Sequence, residues 1–220
     1  MPSDFIRGIL KRIDPRLLWR DLEDWEFDRS RRVNTSGNEH TPAPERVVGE
    51  LRDSHIYGPV RVPSAHAALR ALPLKDMSEY TFIDIGSGKG RMLFVAAEYP
   101  FRRVLGVEFG TDLHNLANEN IARYRHPKRR SGPIESLNEN AATFEFPQGK
   151  LVLYMFNPFG PEILSRMLDN LQQSLEREPR HVVLLMVWPD HSDVVARRPW
   201  LREVSRTRRY HVFETFTAGG

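Results

Sequence analysis

Three glycines, two acids and an asparagine carry most of the chemistry available to this chain. Asp84-Ile85-Gly86-Ser87-Gly88-Lys89-Gly90-Arg91 sets an acid just ahead of a G-x-G-x-G run. Glycine at alternate positions lets the backbone turn tightly and lets a ligand approach it closely. Val104-Leu105-Gly106-Val107 leads into a second acid, Glu108, and then Phe109. Leu151-Val152-Leu153-Tyr154-Met155-Phe156 leads into Asn157-Pro158-Phe159-Gly160. Each polar group follows a short apolar run, so each is expected where a buried strand ends.

Between the first two runs, Met92, Leu93, Val95 and Ala96 predict a helix over 91–98. Strand, glycine loop, helix, strand, acid is the order that seats an adenosine-bearing cofactor at the carboxyl edge of a parallel sheet. A dinucleotide site shows G-x-G-x-x-G and places a pyrophosphate on the helix N-terminus. Here the spacing is shorter, and Asp84 repels a pyrophosphate but attracts an ammonium. Glu108 is placed to accept hydrogen bonds from two ribose hydroxyls. S-adenosylmethionine carries an ammonium, a sulfonium and a free ribose diol, and the pattern favours it over NAD.

The run Asp84 to Arg91 resembles motif I of the class I, seven-strand S-adenosylmethionine-dependent methyltransferases, and Glu108 resembles their ribose-binding acid. The likeness extends over residues 80 to 216. It implies cofactor contacts from Asp84, Gly86, Ser87, Gly88, Gly90, Glu108, Phe109, Asn140, Ala141 and Asn157, with S-adenosylhomocysteine as product and no metal. Asn140 stands where the family often has an acid beside adenine, and its amide carbonyl can still accept a hydrogen bond. Asn157-Pro158-Phe159 resembles the N-P-P-[YF] motif of methyltransferases acting on amino groups, one proline short. The resemblance makes Asn157, Pro158 and Phe159 the catalytic candidates; a plain strand-to-helix turn accounts for the same residues. The nearer likeness is to non-SET protein lysine methyltransferases, which implies a nitrogen acceptor, protein lysine first. RNA or small-molecule acceptors, a non-catalytic cofactor-binding scaffold and an NAD-dependent oxidoreductase are the rival readings.

The architecture so implied is α/β: a three-layer, Rossmann-like, seven-stranded and mostly parallel sheet with an antiparallel C-terminal hairpin, preceded by a helical and irregular arm. The methyltransferase domain is expected over 76–220 and the arm over 1–75, lying on the cofactor mouth as a lid. Strands are predicted at 80–85, 104–109, 133–137, 151–156 and 181–188, with the hairpin at 200–205 and 210–217. Helices are predicted at 111–125, capped by Thr111, and at 161–176. In the arm, Phe5, Ile6, Ile9, Leu10 and Ile13 form one stripe of a helix over 4–13, read as packing on the domain itself rather than on a membrane. A second helical piece starts at Pro15, and Asp28 to Pro63 is polar and turn-rich apart from a short helix over 45–51. Tyr57 is a candidate cofactor-edge contact or, equally, a buried structural tyrosine, and Ser64 is expected to cap a helix over 65–72. Lys89 is expected to face solvent or a carboxylate. The tail, residues 218–220, is expected to be flexible.

The chain has 220 residues, a formal charge of +3 and no cysteine. That length can bury one substantial core, and the absence of cysteine excludes disulfides and thiol nucleophiles. No apolar run approaches a membrane span, there is no secretory core at the start, and a cytoplasmic protein is expected. Two basic runs, Arg123 to Arg130 and Arg197 to Arg209, suit phosphate or an acidic partner. Solvated charges on loops and an edge strand are the preferred reading, so nucleic acid is not the favoured partner.

Overall fold

The computed structural model describes residues 15–37 and 58–216. The expected helices over 4–13 and 45–51, Tyr57 and the tail lie outside the described residues. Seven strands form one sheet: β1 (Tyr80–Ile85), β2 (Arg103–Val107), β3 (Ile134–Leu137), β4 (Lys150–Met155), β5 (Val182–Val187), β6 (Leu201–Arg206) and β7 (Tyr210–Thr215). The order is β3-β2-β1-β4-β5-β7-β6. The first five strands are parallel, and β7 runs antiparallel between β5 and β6. Strand order reverses between β1 and β4, which opens a crevice at their carboxyl ends.

Alternation along the strands divides the core in two. Phe82, Val104, Val152, Tyr154, Val183 and Leu185 face one layer, and Ile83, Leu105, Leu151, Leu153 and Leu184 face the other. The second layer is closed by α5 (Pro161–Arg177), whose Leu164, Met167, Leu168 and Leu171 recur at helical spacing and are buried. The first layer holds α1 (Pro15–Arg31), α2 (Val62–Arg70) and α3 (Arg91–Ala96), and α4 (Thr111–Arg123) reaches it through Ile121. A short α6 (Ser192–Ala196) follows β5. Among the described residues, no helix is long and apolar enough to cross a membrane.

Three local expectations are corrected. The helix begins at Val62, not after Ser64, because Pro63 is tolerated in a first turn whose N–H groups lack partners anyway. The helix before it does not yield to loop at Asp28 but continues to Arg31 and stops where Arg32 turns left-handed, φ 60°. Gly110, not Thr111, is the N-cap of α4; the Thr111 hydroxyl instead donates to Asn138 Oδ1 at 3.1 Å.

Every residue of α3 is buried, because α1 and the following strap, residues 33–37, cover its outer side. Two arginines fasten that cover. Arg91 of α3 pairs with Asp24 and donates to Thr35 Oγ1 (2.8 Å) and Ser36 Oγ (3.0 Å). Arg31 of α1 pairs with Glu98, just beyond α3. The Phe27 ring lies between them, with the Arg31 guanidinium 4.1 Å and the Arg91 guanidinium 5.2 Å from its centre. Asp28 ties the strap to α1 by accepting from the amides and hydroxyls of Thr35 and Ser36. Removing one partner of a buried pair strands the other charge. Arg91→Met should therefore cost roughly 3 kcal/mol, read as a lower urea midpoint at unchanged m-value; a change within about 0.5 kcal/mol would show that the clamp is not needed.

Candidate functional site

The loops after β1, β2, β3 and β4 meet at one edge of the sheet, and each carries residues singled out by sequence. In the first, Gly86, Gly88 and Gly90 have φ of 81°, 53° and 88°, a region that disfavours any side chain. The amides of Gly86 and Ser87 both donate to the Val107 carbonyl, which lays the loop against the end of β2. Ser87 points down onto Gly106, where a Cβ would come within 2.5 Å of its Oγ. The Ser87 hydroxyl is buried with no hydrogen-bond partner.

Glu108 locks this loop to the next. One carboxylate oxygen accepts from the Gly88 amide at 2.8 Å, and the other from the Gly110 amide at 2.7 Å. Burial raises the Glu108 pKa, and the amides oppose that shift. Asp84 is 3% exposed, and no described residue donates a hydrogen bond to it. Burial, and then the Glu108 charge, push it well above the usual carboxylate range. Its register partner on β4 is Tyr154, whose buried hydroxyl also lacks a partner. The edge therefore holds two buried acids with no cation among the described residues to balance Asp84.

Phe109 follows Glu108 and is 39% exposed. Asn138, which the sequence did not mark, joins the β2 and β3 loops by donating to the carbonyls of Glu108 (2.9 Å) and Phe109 (3.0 Å). Asn140 is half-buried, and its Oδ1 accepts from the Ala142 amide at 2.9 Å, which turns the chain so that Ala141 is buried.

After β4, Asn157 takes a left-handed backbone, φ 46°, and its amide donates to Asp190 Oδ2 at 2.5 Å. Its own Oδ1 has no partner among the described residues. Pro158 crosses the crevice to the glycine loop: a Cβ on Gly86 would lie 2.5 Å from Pro158 Cβ. Phe159 turns away into the second core layer and is 8% exposed. Besides Phe109, a half-exposed aromatic at this edge is Trp188, just past the end of the neighbouring β5. Lys89 does not face solvent: it is buried, and its Nζ donates to the Ser36 carbonyl at 2.9 Å. Asn120 completes that attachment by bonding Asn34 through both its backbone groups and the Lys89 carbonyl. Among the described residues, no group of three histidines and acids is placed to hold a metal ion.

No family model and no curated protein matches this chain. Solved structures do. A predicted N6-adenine-specific DNA methylase from Listeria monocytogenes is 13% identical over 72% of this chain and 51% of its own, with a TM-score of 0.51. This chain thus spans about half of that protein. A ribosomal protein L11 methylase from Lactobacillus delbrueckii is 15% identical over 72% and 80% of the two chains, TM-score 0.48. An RNA methyltransferase from Salinibacter ruber, in complex with S-adenosyl-L-homocysteine, is 18% identical over 72% and 92%, TM-score 0.47. The fold is that of the class I methyltransferases.

The Asp84 shift has a sign that can be measured. A carboxyl whose pKa rises on folding favours the folded state while protonated, and that stability is lost as pH climbs past the ordinary carboxylate range. Asp84→Asn should therefore melt higher than the parent near pH 7, by about 2–4 °C for each kcal/mol recovered. The gap should close toward about pH 4, and a gap that persists in acid would assign the effect to packing instead.

Proposed function

We propose that this chain is an S-adenosylmethionine-dependent methyltransferase, with residues 76–220 as the catalytic domain and residues 1–75 as an arm packed on it. The observation that carries the reading is the carboxylate pair at the glycine loop. Asp84 is buried without a donor, and Glu108 is held with both oxygens at the edge of β2. A buried acid with no partner is costly unless a cation or donor completes it. An ammonium beside Asp84 and a ribose diol on Glu108 complete both, whereas a pyrophosphate adds negative charge to negative charge.

When bound, S-adenosylmethionine supplies a methyl group on a sulfonium and leaves as S-adenosylhomocysteine. The chain's own part is placement. Gly86, Ser87, Gly88 and Gly90 offer a backbone without bulky side chains, Phe109 gives an exposed ring beside Glu108, and Asn140 and Ala141 form the turn on the adenine side. Asn157 faces the acceptor. With its amide N–H committed to Asp190, the Oδ1 is left to accept from a nitrogen N–H and aim the lone pair along the transfer line. Pro158 holds that strand end against Gly86. Phe159, in the core, supports this turn from behind. A nitrogen acceptor must be neutral when it attacks, so a protein lysine would first have to lose its proton. The lysine assignment rests on resemblance at two places, the Asp84-Ile85-Gly86-Ser87-Gly88 motif and the Asn157 strand end.

Calorimetry with S-adenosylmethionine and with NAD separates this reading from an oxidoreductase, and label transfer to protein and RNA fractions separates it from a silent scaffold. Glu108→Ala should weaken S-adenosylmethionine binding by a few kcal/mol, since charged hydrogen bonds contribute about 1.5–3 each; unaltered affinity would remove the ribose role. Asn157→Ala should slow transfer and leave cofactor affinity nearly intact. Equal loss of both would make Asn157 a turn residue only.

A further inference from the structure

The geometry points to a single-stranded nucleic acid as the acceptor, with a base stacked on Trp188 and phosphates taken by Arg208 and Arg209. This rests on the methyltransferase reading for the reaction but not for the binding surface.

The pairing of the arginines carries it. In the run Arg197 to Arg209, charge is mostly neutralised within the fold: Arg197 pairs with Asp193, Arg198 with Asp169, Arg202 with Glu214 and Arg206 with Glu203. Arg208 and Arg209 have no ion pair among the described residues, and both are exposed. They sit in the tight β6–β7 turn, which Thr207 closes by donating to the Tyr210 carbonyl. Val187 of β5 registers with Tyr210 of β7, so this turn stands at the carboxyl edge of the sheet, beside the Asn157 strand end. The other basic run, around Arg123 to Arg130, precedes β3 and therefore lies at the opposite edge. Of the two runs, the hairpin tip is the one that sets unpaired arginines next to the candidate site.

Trp188 is joined to that tip: its amide donates to the Arg209 carbonyl at 2.9 Å, and its own carbonyl accepts from the Asp190 amide at 3.0 Å. The residue is 50% exposed with a backbone φ of 51°. A bulky residue is strained in that region. Glycine or asparagine would sit there more easily, yet the position holds the largest aromatic ring, in water, at the mouth of the site. Of the nearby acids, Asp193 pairs with Arg197 and Glu203 with Arg206. Asp190 accepts from the neutral Asn157 amide and keeps its charge, which leaves two arginines against this one acid. An exposed ring whose backbone is hydrogen-bonded to a turn carrying two arginines without ion pairs among the described residues suits a strand of stacked bases and phosphates. It suits a cationic protein tail poorly, since two arginines repel it.

The test is fluorescence anisotropy with fluorescein-labelled mixed-sequence single-stranded RNA and DNA, on the full chain, from about 50 to 200 mM salt. Arg208→Glu/Arg209→Glu should weaken binding at least tenfold and flatten the salt slope by about 1.4, near 0.7 for each phosphate no longer neutralised. Lys128→Glu/Arg130→Glu makes the same change of charge at the far edge and should leave affinity within about threefold. Trp188→Gly, which relaxes the backbone, should weaken binding roughly ten- to hundredfold at unchanged slope, and Trp188→Phe should restore most of it. The RNA and DNA arms tell which sugar is accepted. The surface assignment is overturned if the parent binds neither oligonucleotide, or if both double variants lose binding equally, or if Trp188→Gly binds like the parent. Calorimetry with S-adenosylmethionine on the same samples keeps the two readings separate. Cofactor binding without oligonucleotide binding sinks the surface and spares the reaction, and the reverse spares the surface and sinks the reaction.

Discussion

A single carboxylate sets the shape of the sheet's carboxyl edge. Glu108 takes the amide of Gly88 from one loop and that of Gly110 from another, and Asn138 brings a third loop to the carbonyls beside it. Strand ends that would otherwise splay are thereby drawn together around a glycine turn. The cost is an acid out of water, and it is compounded by Asp84 close by. Backbone amides offset the first burial; nothing in the described protein offsets the second. An edge built this way is under electrostatic tension, and its polarity selects for a positively charged occupant.

The arm is part of the same construction. Arg91 reaches outward from α3 to Asp24, and Arg31 reaches inward from α1 to Glu98, so each side contributes one buried guanidinium. Lys89 extends the attachment into the glycine loop by holding the Ser36 carbonyl. Residues flanking Gly90 on both sides thus bind the strap. Whatever moves residues 33–37 pulls on the loop through Lys89 and Arg91.

The parts of this molecule written in local pattern were legible. Short, mostly apolar runs gave β1, β4 and β5, because strands buried on both faces need no polar side. The glycine spacing located the loop, because three positive φ angles require it. What spacing could not give were partners distant in sequence. Lys89 reads as a group facing solvent or a carboxylate, and local pattern misses its Ser36 acceptor because that lies 53 residues earlier. Asp190, which orients Asn157, and Asn138, which joins two loops, look like ordinary turn residues along the chain. The arginine run read as one uniform charge, whereas folding neutralises most of it and leaves the turn bare. Phe159 fell in a motif that suggested a ring facing the acceptor, but the core of α5 claims it, and the exposed ring comes from the next strand. Gly106 gave the one local signal that went unused: a glycine inside an apolar strand implies a close neighbour, here Ser87.

The reciprocal arginine clamp also bears on biosynthesis. Residues 15–37 leave the ribosome well before Arg91 and Glu98 exist, so α1 emerges with Asp24 and Arg31 unmatched and the Phe27 ring uncovered. It cannot settle until the chain beyond β1 is at hand. This segment is therefore made early and fastened late, and a nascent chain stalled before α3 would present it to chaperones as an orphan.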